Sequence, residues 1–360
     1  MLTTAPDCAL PPAARLSSPA PGADADNPFD LHNIAAYARW RERKLAEVPR
    51  SWQALAVNVG DPRHLTEAER AALLAIIAAH NVAVYASPAR DEDPQIPLML
   101  GAQLGLHRLD ANWLASEHGL SRIEQAEGRR DSTAGRGGFI PYTDRPIRWH
   151  TDGYYHPPER QIHGMILHAV RPAVHGGENR LLDPDLLYIA LRDANPSHIE
   201  ALTHAQAMTI PAREDDEGTA REAQAGPVFS FGADGGSLHM RYTARTRSIV
   251  WRDDAATQAA VAALEHLLAN DLGGMLTLRL EAGMGLVGHN VLHERGSFVD
   301  DPARPRLLYR ARYLDRVAGP AGLLHSAPEV RPSRTGPGPG RNTIQPAPLQ
   351  HRQETAWRSG

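Results

Sequence analysis

His150 and Asp152 flank Thr151 in the segment Trp149-His-Thr-Asp-Gly153. If that segment is a strand, alternate side chains project to one face, so both donors reach a single cation from the same side. Two imidazoles and one carboxylate on one face of an octahedral ferrous ion leave three positions open. A keto acid can take two of them and dioxygen the third. The triplet alone decides nothing. With 18 histidines in the chain, a His-x-Asp triplet is expected about once by chance. A strand-end histidine capped by a neighbouring carboxylate is the competing account. The third donor must come from an element adjacent in space. The segment Asn290-Val-Leu-His-Glu-Arg295 offers His293, with His289 four residues earlier as its local competitor. Position does not choose between them.

The segment Arg306-Leu-Leu-Tyr-Arg-Ala-Arg312 carries a second chemical signal. Period-two alternation puts Arg306, Leu308, Arg310 and Arg312 on one face. A buried row of guanidinium groups requires anionic partners, and a dicarboxylate cosubstrate offers the bidentate geometry that arginine matches. The competing account is a solvated edge strand. It carries weight here because Lys44 is the only lysine and nearly all basic charge is arginine.

These residues need a scaffold. Thr66 reads as a helix N-cap, with Glu67 and Glu69 in the first turn and Leu73, Leu74, Ile76 and Ile77 as an apolar stripe. His80-Asn81 ends that helix, and residues 82–85 read as a short buried strand. Gln95 to Leu106 predicts a second helix ending at Gly105. From Gly164 onward short strands dominate: residues 165–170, 227–231, 238–242, 275–281 and 307–314, with helices at 184–193 and 255–268. Strand-rich sequence with helices mostly ahead of it predicts a mainly β fold, a sandwich or barrel with helical cover. No G-x-G-x-x-G opens a helix, and no phosphate loop or H-E-x-x-H occurs.

Composition is that of an ordinary globular protein, with 42% hydrophobic and 22% charged residues. A formal net charge of -4 gives no electrostatic reason to expect nucleic acid or membrane as a partner. The single cysteine, Cys8, excludes an internal disulfide and a cysteine-based metal site. No run reaches membrane-span length, and residues 1–27 do not read as a secretory signal, so a cytoplasmic protein is expected. Residues 1–27 and the Pro/Gly/Arg-rich 319–360 are expected to be disordered, leaving 28–318 as a single domain.

Taken together the motifs resemble the family of taurine dioxygenase, the phenoxyacetate-herbicide dioxygenases and γ-butyrobetaine hydroxylase. The resemblance covers roughly residues 65–315. It runs through Trp149-His-Thr-Asp152, His175-Gly-Gly-Glu-Asn179, Gly226-Pro-Val-Phe229, Val291-Leu-His293 and Arg306-Leu-Leu-Tyr-Arg310, in matching order and spacing. It implies a double-stranded β-helix (a jelly roll, cupin-like) with flanking helices, and a cytoplasmic iron(II)- and 2-oxoglutarate-dependent dioxygenase. By the resemblance His150, Asp152 and His293 are the iron ligands, His293 because the family's distal histidine sits in a V-L-H context. Arg306 falls on the arginine that pairs with the distal carboxylate of 2-oxoglutarate, Arg310 on a second arginine near the keto acid or an anionic substrate. Asn179 stands where taurine dioxygenase has a threonine touching the cosubstrate. Pro146 replaces a substrate-binding asparagine of that enzyme, which implies a substrate other than taurine.

The implied reaction takes dioxygen and a small substrate, hydroxylates an unactivated C–H and releases succinate and carbon dioxide. The carboxylate ligand argues against halogenation. Tyr154 and Tyr155 are candidates for the pocket wall or for packing, and residues 117–145 and 212–226 for lids or ordinary loops. His156, His163, His168 and His175 are expected to be structural. A homo-oligomer is expected by analogy alone. Two other classes stay open: a jelly-roll hydrolase or isomerase on another metal, and a non-catalytic small-molecule binding module.

Overall fold

The computed structural model describes residues 26–110, 119–125, 140–215, 218–232, 236–245 and 249–318. The expected disordered ends, residues 1–27 and 319–360, lie outside the described residues apart from 26 and 27, as does much of the loop 117–145.

Two sheets face each other. The larger has six strands, in the order Ala56–Asn58, Val82–Ala86, Met284–His289, Gly164–Arg171, Leu307–Tyr313 and Ser121–Glu124, antiparallel except for the first pair. The smaller has four, Leu276–Leu278, Asn179–Leu182, Leu292–Arg295 and Ile147–His150, all antiparallel. The space between them is filled by Val82, Val84, Leu167, Ala169, Leu286 and Leu308 from one sheet and Leu181, Leu276 and Leu278 from the other. This is the β-sandwich with helical cover that the strand pattern predicts, and the jelly roll that the resemblance implies.

Both outer faces carry helices. Leu73, Leu74 and Ile77 of the helix Glu67–His80, with Leu100 and Leu104, cover Ile166, Val287, Tyr309 and Ala311 on the back of the larger sheet. The helices Pro184–Ala194, Pro196–Leu202 and Ala255–Ala269 cover Trp149, Leu182 and Leu292 on the back of the smaller one. Each strand near the site is thus apolar outward and mixed inward, and that alternation turns His150 and His293 into the sandwich.

The expected helix at Thr66 forms as the capping box predicts. Thr66 Oγ1 accepts from Glu69 N–H at 3.3 Å, and Glu69 Oε2 accepts from Thr66 N–H at 2.7 Å. Asn81 ends it in the left-handed conformation, φ 65°. The second helix stops at Gln103, slightly short of the expected Gly105. Several elements were not legible in the sequence, among them the short strands Arg213–Asp215, Gly218–Arg221 and Gln224–Gly226 inside the expected loop 212–226, and two longer elements. Ile34–Ala46 is polar over most of its surface and buries only Ala36 and Tyr37. Met284–His289 is a central strand with glycines at 285 and 288, ordinarily strand-weakening. A Cβ at Gly285 would lie 2.4 Å from the Leu167 carbonyl oxygen and from the Tyr85 ring, so glycine is what lets three strands meet there.

Lys44 ties the N-terminal helix to both sheets' helical cover. Its ammonium donates to Asp183 Oδ2 at 2.7 Å and to the Ala79 carbonyl at 2.8 Å, and pairs with Asp185 at 2.7 Å. Burial disfavours the charge, but the two carboxylates more than offset it and hold the pKa above the ordinary lysine range. Three acceptors converging on one point suit an ammonium and not a planar guanidinium, which accounts for the lone lysine in an arginine-rich chain. Lys44→Met leaves two largely buried aspartates without their cation. It is expected to lower stability by about 3 kcal/mol, measured as the denaturant midpoint at pH 7; an unchanged midpoint would show the clamp to be inert.

A candidate metal centre between the sheets

His150 closes the strand Ile147–His150 and pairs directly with His293 on the neighbouring strand. Directly paired residues share a face, so the two imidazoles stand side by side, ring centroids 4.2 Å apart. Asp152 follows on the same side, past the end of the strand. One donor atom from each of His150, Asp152 and His293 lies within 4.8 Å of the other two, and among the described residues no other group of three histidine, cysteine or acidic side chains does so.

The protonation pattern is set by the backbone. His150 Nδ1 lies 2.9 Å from the Arg148 carbonyl and His293 Nδ1 3.0 Å from the Val291 carbonyl. A carbonyl only accepts, so Nδ1 carries the proton in both rings and Nε2 keeps its lone pair. Burial, with His293 alongside, holds His150 down to about pKa 3, and burial also lowers His293. For Asp152 burial acts upward, but Arg310 and Arg312 outweigh it and hold the carboxyl well below the usual range. Arg310 donates to Asp152 Oδ1 at 3.0 Å, whereas the buried Oδ2 has no hydrogen-bond partner. Two free Nε2 atoms and one orphaned carboxylate oxygen are the donor set of a two-histidine, one-carboxylate site for ferrous iron, and the outer hydrogen bonds are of the kind that orient such ligands.

His289 does not take part. Its ring lies against Asn81 and Arg316 on the far side of the strand crossing. Of the other histidines, His156 Nε2 meets Asp110 at 3.1 Å, His168 Nδ1 meets the Tyr85 hydroxyl at 3.0 Å, and His175 is exposed. Four buried histidines are kept neutral: burial lowers His150, His239 and His289 to about 3 and His168 to about 4. Their folded values lie below the unfolded 6.5, so the neutral forms stabilise the fold fully above that pH. The contribution falls as pH drops from 6.5 toward 3, by roughly 1.4 kcal/mol per pH unit for each histidine. The metal-free protein is therefore expected to lose its thermal midpoint steeply between pH 6.5 and 5. A flat midpoint across that interval would contradict the neutral cluster.

The arginine row divides into three roles. Leu308, Arg310 and Arg312 face the interior, while Leu307, Tyr309 and Ala311 pack outward. Arg310 reaches Asp152, and its buried Nε has no partner. Arg312 donates to the Tyr155 hydroxyl at 3.0 Å and to Asp110, and stands 3.9 Å from Asp152. Arg306, just before the strand, is 6% exposed. Among the described residues no carboxylate lies within ion-pair distance of its guanidinium, which sits over the Phe298 ring at 5.0 Å. Burial lowers it to about 10, only partly countered by Asp300.

Arg295, also over Phe298, differs: carbonyls of Thr143, Arg145, Pro141 and Gly296 accept from it. Asn179 is buried and pairs across the strands with Arg295, two residues along from the position opposite His293. Asn179 and Arg306 therefore lie toward one end of the sandwich, with His293 roughly 7 Å of strand away. Gly177 leaves the space beside Arg306: its φ is +74° and a Cβ there would approach Phe298 and the Arg306 Nε.

Several site residues carry no signal legible in the sequence. Asp110 lies in an extended stretch distant from every motif, yet its fully buried carboxylate collects His156, Arg160 and Arg312. Arg241 fixes the loop after Asp152 through the Tyr154 carbonyl. Asn290 stood within the distal-histidine segment, where its hydrogen bonds to residues 138 and 128 positions earlier were invisible. Gly153, in contrast, follows the motif directly. It has φ +67°, and a Cβ there would lie 2.4 Å from Ile162 Cγ1, so the turn out of the His-x-Asp segment requires glycine.

A family model described as taurine catabolism dioxygenase TauD, TfdA family matches residues 43–312. Two curated relatives, both uridine-5'-phosphate dioxygenases, are 34% identical over 189 residues (Streptomyces sp) and 31% identical over 176 residues (Amycolatopsis sp). The matches span 50% and 46% of this chain, and 66% and 60% of the relatives' own length. Among solved structures, AAD-2 in complex with Mn(II) and N-oxalylglycine aligns with TM-score 0.52 at 14% identity, covering 73% of this chain and 94% of that one. The non-heme iron oxygenase OrfP in complex with Fe and alpha-ketoglutaric acid aligns with TM-score 0.50 at 19% identity, covering 80% and 91%. At these identities the structural likeness bears on the fold.

Proposed function

The chain belongs to the taurine catabolism dioxygenase TauD, TfdA family, and from that premise we propose that it is an iron(II)- and 2-oxoglutarate-dependent dioxygenase hydroxylating an unactivated C–H of a small anionic substrate. The observation that carries the reading is the set of two unprotonated Nε2 atoms and the orphaned Asp152 Oδ2, with the buried Arg306, which has no carboxylate in ion-pair range among the described residues, toward one end of the same sandwich. When bound, iron(II) and 2-oxoglutarate supply the oxidising power, dioxygen being consumed as the keto acid is decarboxylated to succinate.

The chain's own part is placement. His150, Asp152 and His293 would hold the metal, and a three-ligand set would leave positions for cosubstrate and dioxygen. Arg306 takes the distal carboxylate of 2-oxoglutarate, with Asn179 as an amide donor beside its path. Arg310 holds Asp152 ionised, and its buried Nε has no hydrogen-bond partner. Arg312 presents the Tyr155 hydroxyl. The cations close to Asp152 and Tyr155, namely Arg310, Arg312 and Arg221, the last lying over the Tyr155 ring at 5.6 Å, favour an anionic substrate. Nucleoside 5'-phosphates are the first class to try, since the curated relatives are named for uridine-5'-phosphate.

The test is an anaerobic titration of metal-free protein with iron(II) and 2-oxoglutarate, watching for the weak visible charge-transfer band, followed by succinate release on adding oxygen and uridine-5'-phosphate. A band that depends on His150 supports the cofactor assignment. No band with iron loaded rejects it. A band without substrate-stimulated succinate release keeps the cofactors and discards this substrate.

A further inference from the structure

The strand that carries His150 ends there, and Asp152 lies beyond its hydrogen-bonding ladder. The ladder to the neighbouring strand is already irregular between His293 and Arg295. The second donor of the metal centre therefore sits in a turn, one residue past Thr151, whose N–H donates to the Tyr242 carbonyl at 3.0 Å as the last strand-like backbone bond before it. The turn is also shaped by a glycine, Gly153, which confers freedom rather than restraint.

Asn290 supplies the missing partner. Its Oδ1 accepts from Asp152 N–H at 2.8 Å, and its Nδ2 donates to the Asp152 carbonyl at 2.8 Å and to the Ile162 carbonyl at 2.8 Å. The amide orientation is unambiguous, because a backbone N–H only donates and a carbonyl only accepts. Asn290 N–H donates in turn to the His163 carbonyl at 3.1 Å. One buried side chain thus engages both polar groups of a single residue as an adjacent antiparallel strand does. It also joins the two ends of the loop 152–163, which holds Tyr154, Tyr155 and His156. Asn290 itself lies where the chain crosses from Met284–His289 in the larger sheet to Leu292–Arg295 in the smaller, three residues before His293.

The geometry points to Asn290 as a positioning residue of the metal centre, one that sets the place of Asp152 relative to His293 without touching the metal. It rests on the iron assignment above. The side-chain requirements are strict. Aspartate at this position lacks both donors and sets a negative charge against two carbonyls. Alanine leaves three buried backbone groups without partners, a situation proteins avoid. Glutamine is one methylene too long for a site bounded by Asp152 on one side and Ile162 on the other. Substitutions of such outer partners in metal sites commonly weaken metal binding about 10–100-fold.

The experiment compares the full chain with Asn290→Ala, Asn290→Asp and the control Leu264→Ala. Leu264 is fully buried on the inner face of the helix Ala255–Ala269, in the core on the back of the smaller sheet, so its loss is expected to lower stability alone. Two quantities are measured: iron(II) affinity with the metal as sole ligand, and hydrogen exchange of the Asp152 amide and its neighbour Gly153 in the metal-free protein. Both Asn290 variants are expected to exchange at these amides at least about tenfold faster and to bind iron(II) about 10–100-fold more weakly, while Leu264→Ala keeps the parental iron affinity within about twofold. Should Asn290→Ala fail to fold, Asn290→Ser, which keeps an acceptor but no amide donors, takes its place. Unchanged iron affinity in the Asn290 variants, or an equal loss in Leu264→Ala, overturns the inference. If the parent chain itself binds no iron, the dioxygenase reading fails, and the exchange rates alone decide whether Asn290 holds the Asp152 turn.

Discussion

Asp152→Ala is expected to abolish iron-dependent turnover and, independently, to weaken the metal-free fold. The first effect follows from losing one of three donors that meet within 4.8 Å. Loss of an outer partner alone weakens such sites by about 10–100-fold, and removing the ligand itself is expected to exceed that range. The second effect comes from Arg310. Its guanidinium reaches Asp152 at 3.0 Å, and its Nε is already buried without a partner. Without Asp152 that cation is uncompensated in the sandwich interior, at a cost of about 3 kcal/mol. Arg312 is spared because Asp110 still holds it. Iron titration and a thermal melt of the metal-free protein separate the two effects. Tight iron binding in the variant would remove Asp152 from the ligand set, and an unchanged melt would show that Arg310 finds another partner.

Arg306→Met is expected to give the opposite pairing of effects: cosubstrate binding falls while the metal-free protein becomes no less stable. Arg306 is a buried cation over Phe298 with no described carboxylate in ion-pair range, and burial already presses its pKa down to about 10. Replacing it by an apolar chain of similar length relieves that desolvation. Truncating one partner of a buried charge pair costs 2–5 kcal/mol, so the KM for 2-oxoglutarate is expected to rise about 100-fold, with iron(II) affinity in the absence of cosubstrate unchanged. A KM within about threefold of the parent would place the distal carboxylate elsewhere, with Arg310 the next cation to test.

Much of the centre was legible from local spacing. His150 and Asp152 are two apart, and a strand converts that spacing into a shared face. Arg310 and Arg312 obeyed the same alternation, with Arg306 just before the strand, yet the row separates into three roles: Arg306 with no described carboxylate in ion-pair range, Arg310 on Asp152, Arg312 on Asp110 and Tyr155. Sequence spacing predicts the face and is silent about the partner. Spacing left His293 and His289 open and the resemblance chose His293; the crossing between sheets turns His289 away, toward Asn81 and Arg316. Asp110 and Asn290 were illegible for the same reason, since each acts on residues dozens to more than a hundred positions away. The fold was clearest where capping and apolar periodicity coincide, as at Thr66, and least clear at Met284–His289, where close packing between strands selected glycine over the usual strand formers.

The solitary lysine has a practical consequence. A protease that cuts only after lysine has one possible target in all 360 residues, the bond following Lys44. That residue lies inside a helix, with its ammonium locked between Asp183 and Asp185. Cleavage therefore requires the N-terminal helix to come away from the body. When opening and reclosing are fast relative to cutting, the rate of appearance of a single pair of fragments reads the free energy of that opening directly. The chain thus carries a built-in, single-hit reporter of how firmly its first helix is seated, with no label or added mutation.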